Sequence, residues 1–124
     1  IEPCGFPLTD RALKRAALDY GDKVRLARHA SLAAFRDAPA RGDGRLVLVE
    51  TDGTVPFHDF SYSSGDTLVL GRESAGSSGE LYAAAQASVR VPMRRGLRSL
   101  NIVSAAAVVL TEAMRQTGAW EKLA

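Results

Sequence analysis

Leu68-Val69-Leu70-Gly71-Arg72-Glu73-Ser74-Ala75-Gly76 is the stretch that decides the fold class. An apolar run of the kind buried on both faces of a parallel sheet passes straight into a turn with glycine at either end, where backbone can approach a neighbour closely. The same pattern recurs on both sides of it. Leu46-Val47-Leu48-Val49, within 45–50, is a second continuous apolar run, and 88–91 is a third that stops at Pro92.

Segments with helical spacing separate these runs. Ala12, Leu13, Ala16, Ala17 and Tyr20 give 11–20 one apolar face, opened by Thr9 or Asp10 and stopped at Gly21. Val24 and Leu26 alternate with Lys23 and Arg25, which predicts a short half-buried strand. The segment 31–37 reads as a brief helix closed before Pro39, and 38–44 as a loop. After the Gly- and Ser-rich turn 71–79 comes an alanine-rich helix over 80–86. A long helix over 101–116 follows the loop 93–100, with Gly118 as its C-terminal cap. Ala105, Val108, Val109 and Ala113 form its expected buried face, with Glu112, Arg115 and Gln116 polar. Strand and helix alternate throughout, which predicts an α/β fold: an open parallel sheet with helices on both faces, whose ligands sit beyond the carboxyl ends of the strands. The loops after Val49, Leu70 and Val91 are then the places to look for a site.

The 124 residues have room for one compact core, so a single domain over 1–124 is expected. Hydrophobic residues make up 46% and charged ones 24%, which suits a folded chain and argues against disorder. A net charge of +2 permits a polyanionic partner without demanding one, and Arg94, Arg95 and Arg98 around Gly96 are the one local cluster of like charge. Cys4 is the single cysteine, so no internal disulfide forms and a reducing cytoplasm fits. The longest apolar stretch, 105–110, is far short of the ~20 residues of a membrane-spanning helix. The chain begins without Met, and Ile1-Glu2-Pro3 reads like the tail of a strand, so an upstream strand and helix are expected.

Several chemistries drop out. No Lys-Ser/Thr follows the glycines of 71–76, which excludes a Walker loop, and the dinucleotide G-x-G-x-x-G order is absent. His29, His58 and Cys4 lack zinc-ligand spacing, so no metal is expected. Ser61, Ser63 and Ser64 have no G-x-S-x-G elbow around them. Trp120 is expected to pack rather than stack on a base.

Gly71-Arg72-Glu73-Ser74-Ala75-Gly76 is similar to the G-x-E-x-x-G loop of the SPOUT (SpoU-type) RNA 2′-O-ribose methyltransferases. Val91-Pro92-Met93 with Ser99-Leu100-Asn101 resembles that family's I-P-M…S-L-N signature. Ile1-Glu2-Pro3-Cys4-Gly5-Phe6 and Arg15-Ala16-Ala17-Leu18-Asp19-Tyr20 resemble the branch acting on the tRNA wobble nucleotide, so the likeness covers nearly the whole chain. One departure is Thr111, where relatives often carry Tyr before Glu112.

The resemblance implies a carboxyl-terminal deep trefoil knot, S-adenosyl-L-methionine bound in the knot loops, a tRNA substrate and a homodimer that shares its active site. By the same resemblance Val49, Gly71, Glu73, Gly76, Val91, Pro92, Met93, Ser99 and Leu100 hold the cofactor; for Val49, Val91 and Leu100 ordinary core packing would explain the spacing equally well. Glu73, Ser99 and Asn101 are the catalytic candidates, and Arg72, Arg94, Arg95 and Arg98 the RNA-binding ones. Ribose methylation needs the 2′-hydroxyl positioned and deprotonated, and Ser99 and Asn101 can hydrogen-bond there. The family's usual base, an Arg with an Asn-rich motif, is expected upstream of Ile1. Two other readings stay open: the same chemistry on ribosomal RNA, and a non-catalytic module that binds RNA or cofactor.

Overall fold

The computed structural model describes residues 1–4, 9, 11, 15, 23–72 and 75–123. The chain divides into two compact units, Ile1–Arg41 and Gly42–Ala124.

In the first unit the Glu2 N–H donates to the His29 carbonyl at 2.8 Å, and Arg28 Nη2 meets Glu2 Oε1 at 2.6 Å. Helix α1, Leu32–Asp37, begins where Ser31 Oγ accepts the Ala34 N–H at 3.1 Å, so serine stands outside the helix as its cap. Phe35 meets the His29 ring edge-on, with centroids 5.2 Å apart. Arg11 and Arg15 are helical, and the remainder of the helix expected over 11–20 lies outside the described residues. The strand expected at Val24–Leu26 is not formed: both side chains are exposed, at 60% and 62%, on irregular backbone. Alternation offers a strand an apolar face but no partner for its N–H and C=O groups, and no paired strand adjoins this stretch among the described residues.

The second unit is built on four parallel strands: β1 Leu46–Val49, β2 Val55–Pro56, β3 Thr67–Leu70 and β4 Ala87–Arg90, in the order β2-β4-β1-β3. β1 is therefore central. Val49 pairs with Leu70 on one side and Val89 on the other, so three strand ends lie abreast. All four residues of β1 are buried, as its unbroken apolar run predicts for a strand covered on both faces. Val47, Val49 and Val89 pack with Tyr62 and Val109 in one core, while Leu46, Leu48 and Val69 are buried outside that cluster. Burying each such side chain contributes about 1.5–3 kcal/mol.

β2 escaped the sequence reading. It has two residues, one of them proline, and no periodicity of its own. Tertiary contacts fix it instead: Thr54 N–H donates to Ser88 Oγ and Thr54 Oγ1 to the Ser88 carbonyl, each at 3.1 Å. Gly53 is buried beside β4, where an added Cβ would lie 2.3 Å from the Val89 carbonyl carbon.

Helix α2, Gly79–Ala84, is capped by Ser78 and stops short of the expected Gln86. Gln86 instead extends the β1–β4 edge: its N–H donates to the Leu46 carbonyl at 3.0 Å, and its side-chain oxygen accepts the Leu46 N–H at 2.7 Å. Helix α3, Ile102–Thr117, packs on β1 and β3 and closes at Gly118 with φ 66°, the left-handed conformation glycine adopts without strain. Val109 is fully buried, and Ala105 and Ala113 pack on the core, but Val108 is 37% exposed, one position too far round the helix to reach the sheet. Gln116, expected to be merely polar, clips the 57–62 loop to α3. Its amide oxygen accepts the Tyr62 N–H at 2.9 Å, and its NH2 donates to the Phe60 carbonyl at 3.0 Å and to Glu112 at 2.8 Å. Trp120, expected to pack, is 48% exposed, and its indole N–H donates to the Thr111 carbonyl at 3.4 Å.

At the amino end of β1, Arg45 grips Asp66 through two hydrogen bonds of 2.8 and 2.7 Å, and Ser63 N–H donates to the same carboxylate at 2.8 Å. Burial alone would push the Asp66 carboxyl up; the Arg45 hydrogen bonds, the Ser63 N–H and the Arg45 charge outweigh it, leaving Asp66 below the ordinary carboxylate value.

Candidate functional site

At the carboxyl end of each strand the chain leaves the hydrogen-bonded ladder, and in a parallel sheet these exits all lie on one side. Here they line an open cavity of about 530 Å³, within the size range of small-molecule sites. β1 contributes Val49, followed by Glu50 and Thr51. β3 and its turn contribute Leu70, Gly71, Arg72 and Gly76. Val91 and Met93 follow β4. The loop into α3 supplies Arg98, Ser99, Leu100 and Asn101, and the start of the helix supplies Ile102 and Ala105.

The two motif loops, some twenty residues apart in sequence, thus share one cavity. Of the residues singled out above, Val49, Gly71, Arg72, Gly76, Val91, Met93, Arg98, Ser99, Leu100 and Asn101 are brought together. Pro92, Arg94 and Arg95 are not among the walls, and Glu73 lies outside the described residues. Glu50, Thr51, Leu70, Ile102 and Ala105 line the cavity without having been anticipated.

Glu50 explains the glycines of the turn. Its N–H continues the β1–β4 ladder by donating to the Val89 carbonyl at 3.0 Å, while its carboxylate reaches the turn after β3. Oε1 accepts the Ser77 N–H at 2.8 Å and also the Ser77 hydroxyl, in a short contact. A Cβ on Gly71 would lie 2.6 Å from Oε1 and 2.4 Å from both Gly76 C and Ser77 N. The close approach foreseen for a ligand is thus made, at Gly71, by the chain itself. Gly76, at φ 65°, needs glycine for its left-handed backbone as well, and the turn closes with Gly76 N–H donating to the Arg72 carbonyl at 2.7 Å.

Asn101 carries a structural duty in addition to its place in the cavity. Its side-chain oxygen accepts the Val103 and Ser104 N–H groups at 2.9 and 3.3 Å, which makes it the N-cap of α3. Its amide NH2 is the group left to face a ligand. Met93 and Leu100 are both exposed, leaving apolar surface at the cavity for a nonpolar part of a guest.

Outer contacts stiffen the floor. Arg90 donates to the carbonyls of Gly53 and Thr54 at 2.7 and 2.9 Å, fixing the turn after Glu50. Tyr82 donates to Asp52 at 2.9 Å, tying α2 to the same turn. Its hydroxyl is pushed up to about 12, first by burial, then by the Asp52 hydrogen bond and the negative charges of Glu50 and Asp52. The groups on offer are backbone donors and acceptors, small polar side chains, aliphatic walls and one braced carboxylate; among the described residues no cluster of side chains suits a metal ion.

The family model described as SpoU rRNA Methylase matches residues 1–111. A tRNA (cytidine(34)-2′-O)-methyltransferase of Beijerinckia indica is 48% identical over 123 residues, covering 99% of this chain and 77% of its own length. A solved structure described by its work on the 2-OH methylation of C/U34 on tRNA is 38% identical, with a TM-score of 0.80 over 92% of this chain and 74% of its own. An AdoMet-bound rRNA methyltransferase of Sinorhizobium meliloti is 29% identical, with a TM-score of 0.72 over 82% of this chain and 39% of its own. With its parallel strands, its two motif loops joined in one cavity and a match that runs over nearly all its length, this chain belongs to the SpoU rRNA methylase family.

Proposed function

We propose that this protein transfers a methyl group from S-adenosyl-L-methionine to the ribose 2′-hydroxyl of the wobble nucleotide in a tRNA anticodon loop. The observation that carries the reading is the meeting of the two motif loops in one cavity, in a chain 48% identical to a relative named for that reaction. The cavity suits the donor. Val49, Leu70, Val91 and Ala105 offer apolar walls for an adenosine, and the turns at 71–76 and 98–101 offer backbone and short polar groups for its edges. When bound, the donor supplies an electrophilic methyl on a cationic sulfur.

The chain's own residues then do the positioning. Gly71, Gly76, Val91, Met93, Ser99 and Leu100 hold the donor, with Pro92 supporting the loop behind them. Ser99 and the Asn101 amide hydrogen-bond at the ribose, and Glu73 orients the RNA side of the pocket; with donor bound, the 2′-oxygen would bond to the methyl carbon as the carbon–sulfur bond breaks to leave the neutral thioether, its proton passing to a general base or to water. Arg72 and Arg98 lie at the cavity, and with Arg94 and Arg95 they meet phosphates.

Residues 1–124 act as one methyltransferase domain, a reading supported by the family match from residue 1 to 111. Kinship with the family further supports a deep trefoil knot at the carboxyl end and a cytoplasmic homodimer. The stripe Val103, Ala107 and Leu110 along α3, exposed and continued by the half-buried Met114, favours the dimer, since these positions share one helix face.

The test is methyl transfer from labelled S-adenosyl-L-methionine to bulk tRNA and to ribosomal RNA, followed by mapping of the modified nucleotide. Label at the ribose of tRNA position 34 is expected. Label in ribosomal RNA would move the reading to the alternative substrate, and binding of donor or RNA with no transfer would favour a non-catalytic module.

A further inference from the structure

Glu50 is the one carboxylate among the described walls of the cavity. Its position is set on both sides: the backbone is locked to β4 by the bond to Val89, and Oε1 is held by the N–H and hydroxyl of Ser77. Gly71 and Gly76 leave room for it, with Oε1 and Oε2 lying 2.6 and 3.4 Å from where their side chains would begin. A fixed, half-buried charge acts on a ligand more strongly than an exposed one on a mobile side chain, because less solvent reorganises between them. The cations at the same cavity, Arg72 and Arg98, are exposed and more fully screened.

We infer that Glu50 is a specificity-determining residue that lets the cavity discriminate by charge, favouring the sulfonium form of the methyl donor over the neutral thioether left after transfer. This rests on the donor assignment made above. The two molecules differ by one methyl and one positive charge at the same atom, so shape alone separates them weakly. A braced carboxylate in the cavity adds an attraction that disappears when the methyl leaves, which favours loading of fresh donor and release of the spent product. Glu50 touches no reacting atom in this account; its part is in ligand choice.

Glu50→Gln isolates the charge, since the amide oxygen still accepts from Ser77 while the side chain becomes neutral. Calorimetry of wild type and E50Q with S-adenosyl-L-methionine and S-adenosylhomocysteine is the experiment. E50Q is expected to weaken donor binding roughly five- to tenfold and to change product binding by less than about twofold. Equal weakening of both ligands, or no change in either, would overturn the inference. A readout on the unmodified protein stands beside it should E50Q fold poorly: a donor analogue with an amine in place of the sulfonium, protonated at neutral pH, should bind wild type more tightly than the neutral S-adenosylhomocysteine, and equal binding of the two would sink the idea. Wild type that binds neither ligand would overturn the donor assignment as well, whereas binding of both with a ratio of affinities that E50Q leaves unmoved would leave that assignment standing and remove only the role of Glu50.

Discussion

Gly71 illustrates how much a single absent side chain can decide. A Cβ there would meet Gly76 and Ser77 backbone at 2.4 Å and the Glu50 carboxylate at 2.6 Å, and backbone on both strands of the turn cannot give way as a flexible side chain could. Gly71→Ala should therefore displace the turn, costing about 1–3 kcal/mol by overpacking and weakening S-adenosylhomocysteine binding by tenfold or more. Thermal melting and calorimetry check the two parts, and a variant that binds as wild type does would show that the turn is not a wall of the site. Asp66 sets a second expectation, in pH. Its folded pKa lies below the unfolded value of ~3.9, so the pair with Arg45 contributes fully above that value, and the contribution is lost as pH falls through the folded pKa. Asp66→Asn should lower stability near neutrality by about 2 kcal/mol, the worth of charged hydrogen bonds at a side chain only 5% exposed. Below about pH 4 the variant and wild type should converge. Urea unfolding across pH reads this directly, and a constant gap down to pH 2 would refute it.

At the scale of elements, Asn101 joins helix and site, and its two duties can be separated. Asn101→Ala removes both the cap and the amide donor, so it should cost about 0.5–2 kcal/mol of stability along with activity. Asn101→Asp keeps an oxygen for Val103 and Ser104 N–H while removing the NH2, and aspartate caps helices as well as asparagine does. If the amide acts on the ribose, N101D melts with wild type yet transfers methyl at least roughly tenfold more slowly; full activity in N101D would confine Asn101 to capping. The strands and helices themselves were legible wherever one residue pattern fixed them. The runs at 46–49 and 67–70 announced a parallel sheet, and Gly118 marked the end of α3, because burial on both faces and a left-handed cap leave few sequence solutions. β2 was not legible, since two residues that pair with β4 through Thr54 and Ser88 have no local signal. Nor was Glu50: a charged residue just past a strand reads as solvated surface, and only the return of the 71–77 turn in three dimensions shows what its carboxylate touches. The motif residues were legible through resemblance, whereas their gathering into one cavity depended on β1 lying between β3 and β4, an order no window of sequence contains.

For the molecule as a whole, α3 poses the question of what covers its outward face. Val109 and the alanines at 105 and 113 turn inward, which leaves Val103 at 72% and Leu110 at 49% exposure, with Ala107 exposed between them. Residues at this spacing form one ridge, and burial of an apolar ridge contributes about 25 cal/mol per Å² removed from water. In a two-fold homodimer the same ridge meets its own copy, so a charge introduced once appears twice and faces itself across the axis. Leu110→Glu should then convert a dimer to a monomer in light scattering at micromolar concentration, with little change in far-ultraviolet dichroism because the position is already solvent-facing in the isolated chain. Methyl transfer should fall with it if the active site is shared between subunits, whereas binding of S-adenosylhomocysteine should survive within a few-fold if the proposed donor cavity, whose described walls lie within residues 49–105, is where it binds. A variant that stays dimeric would place the contact on another face, and one that becomes monomeric with undiminished transfer would show that each chain carries a complete site.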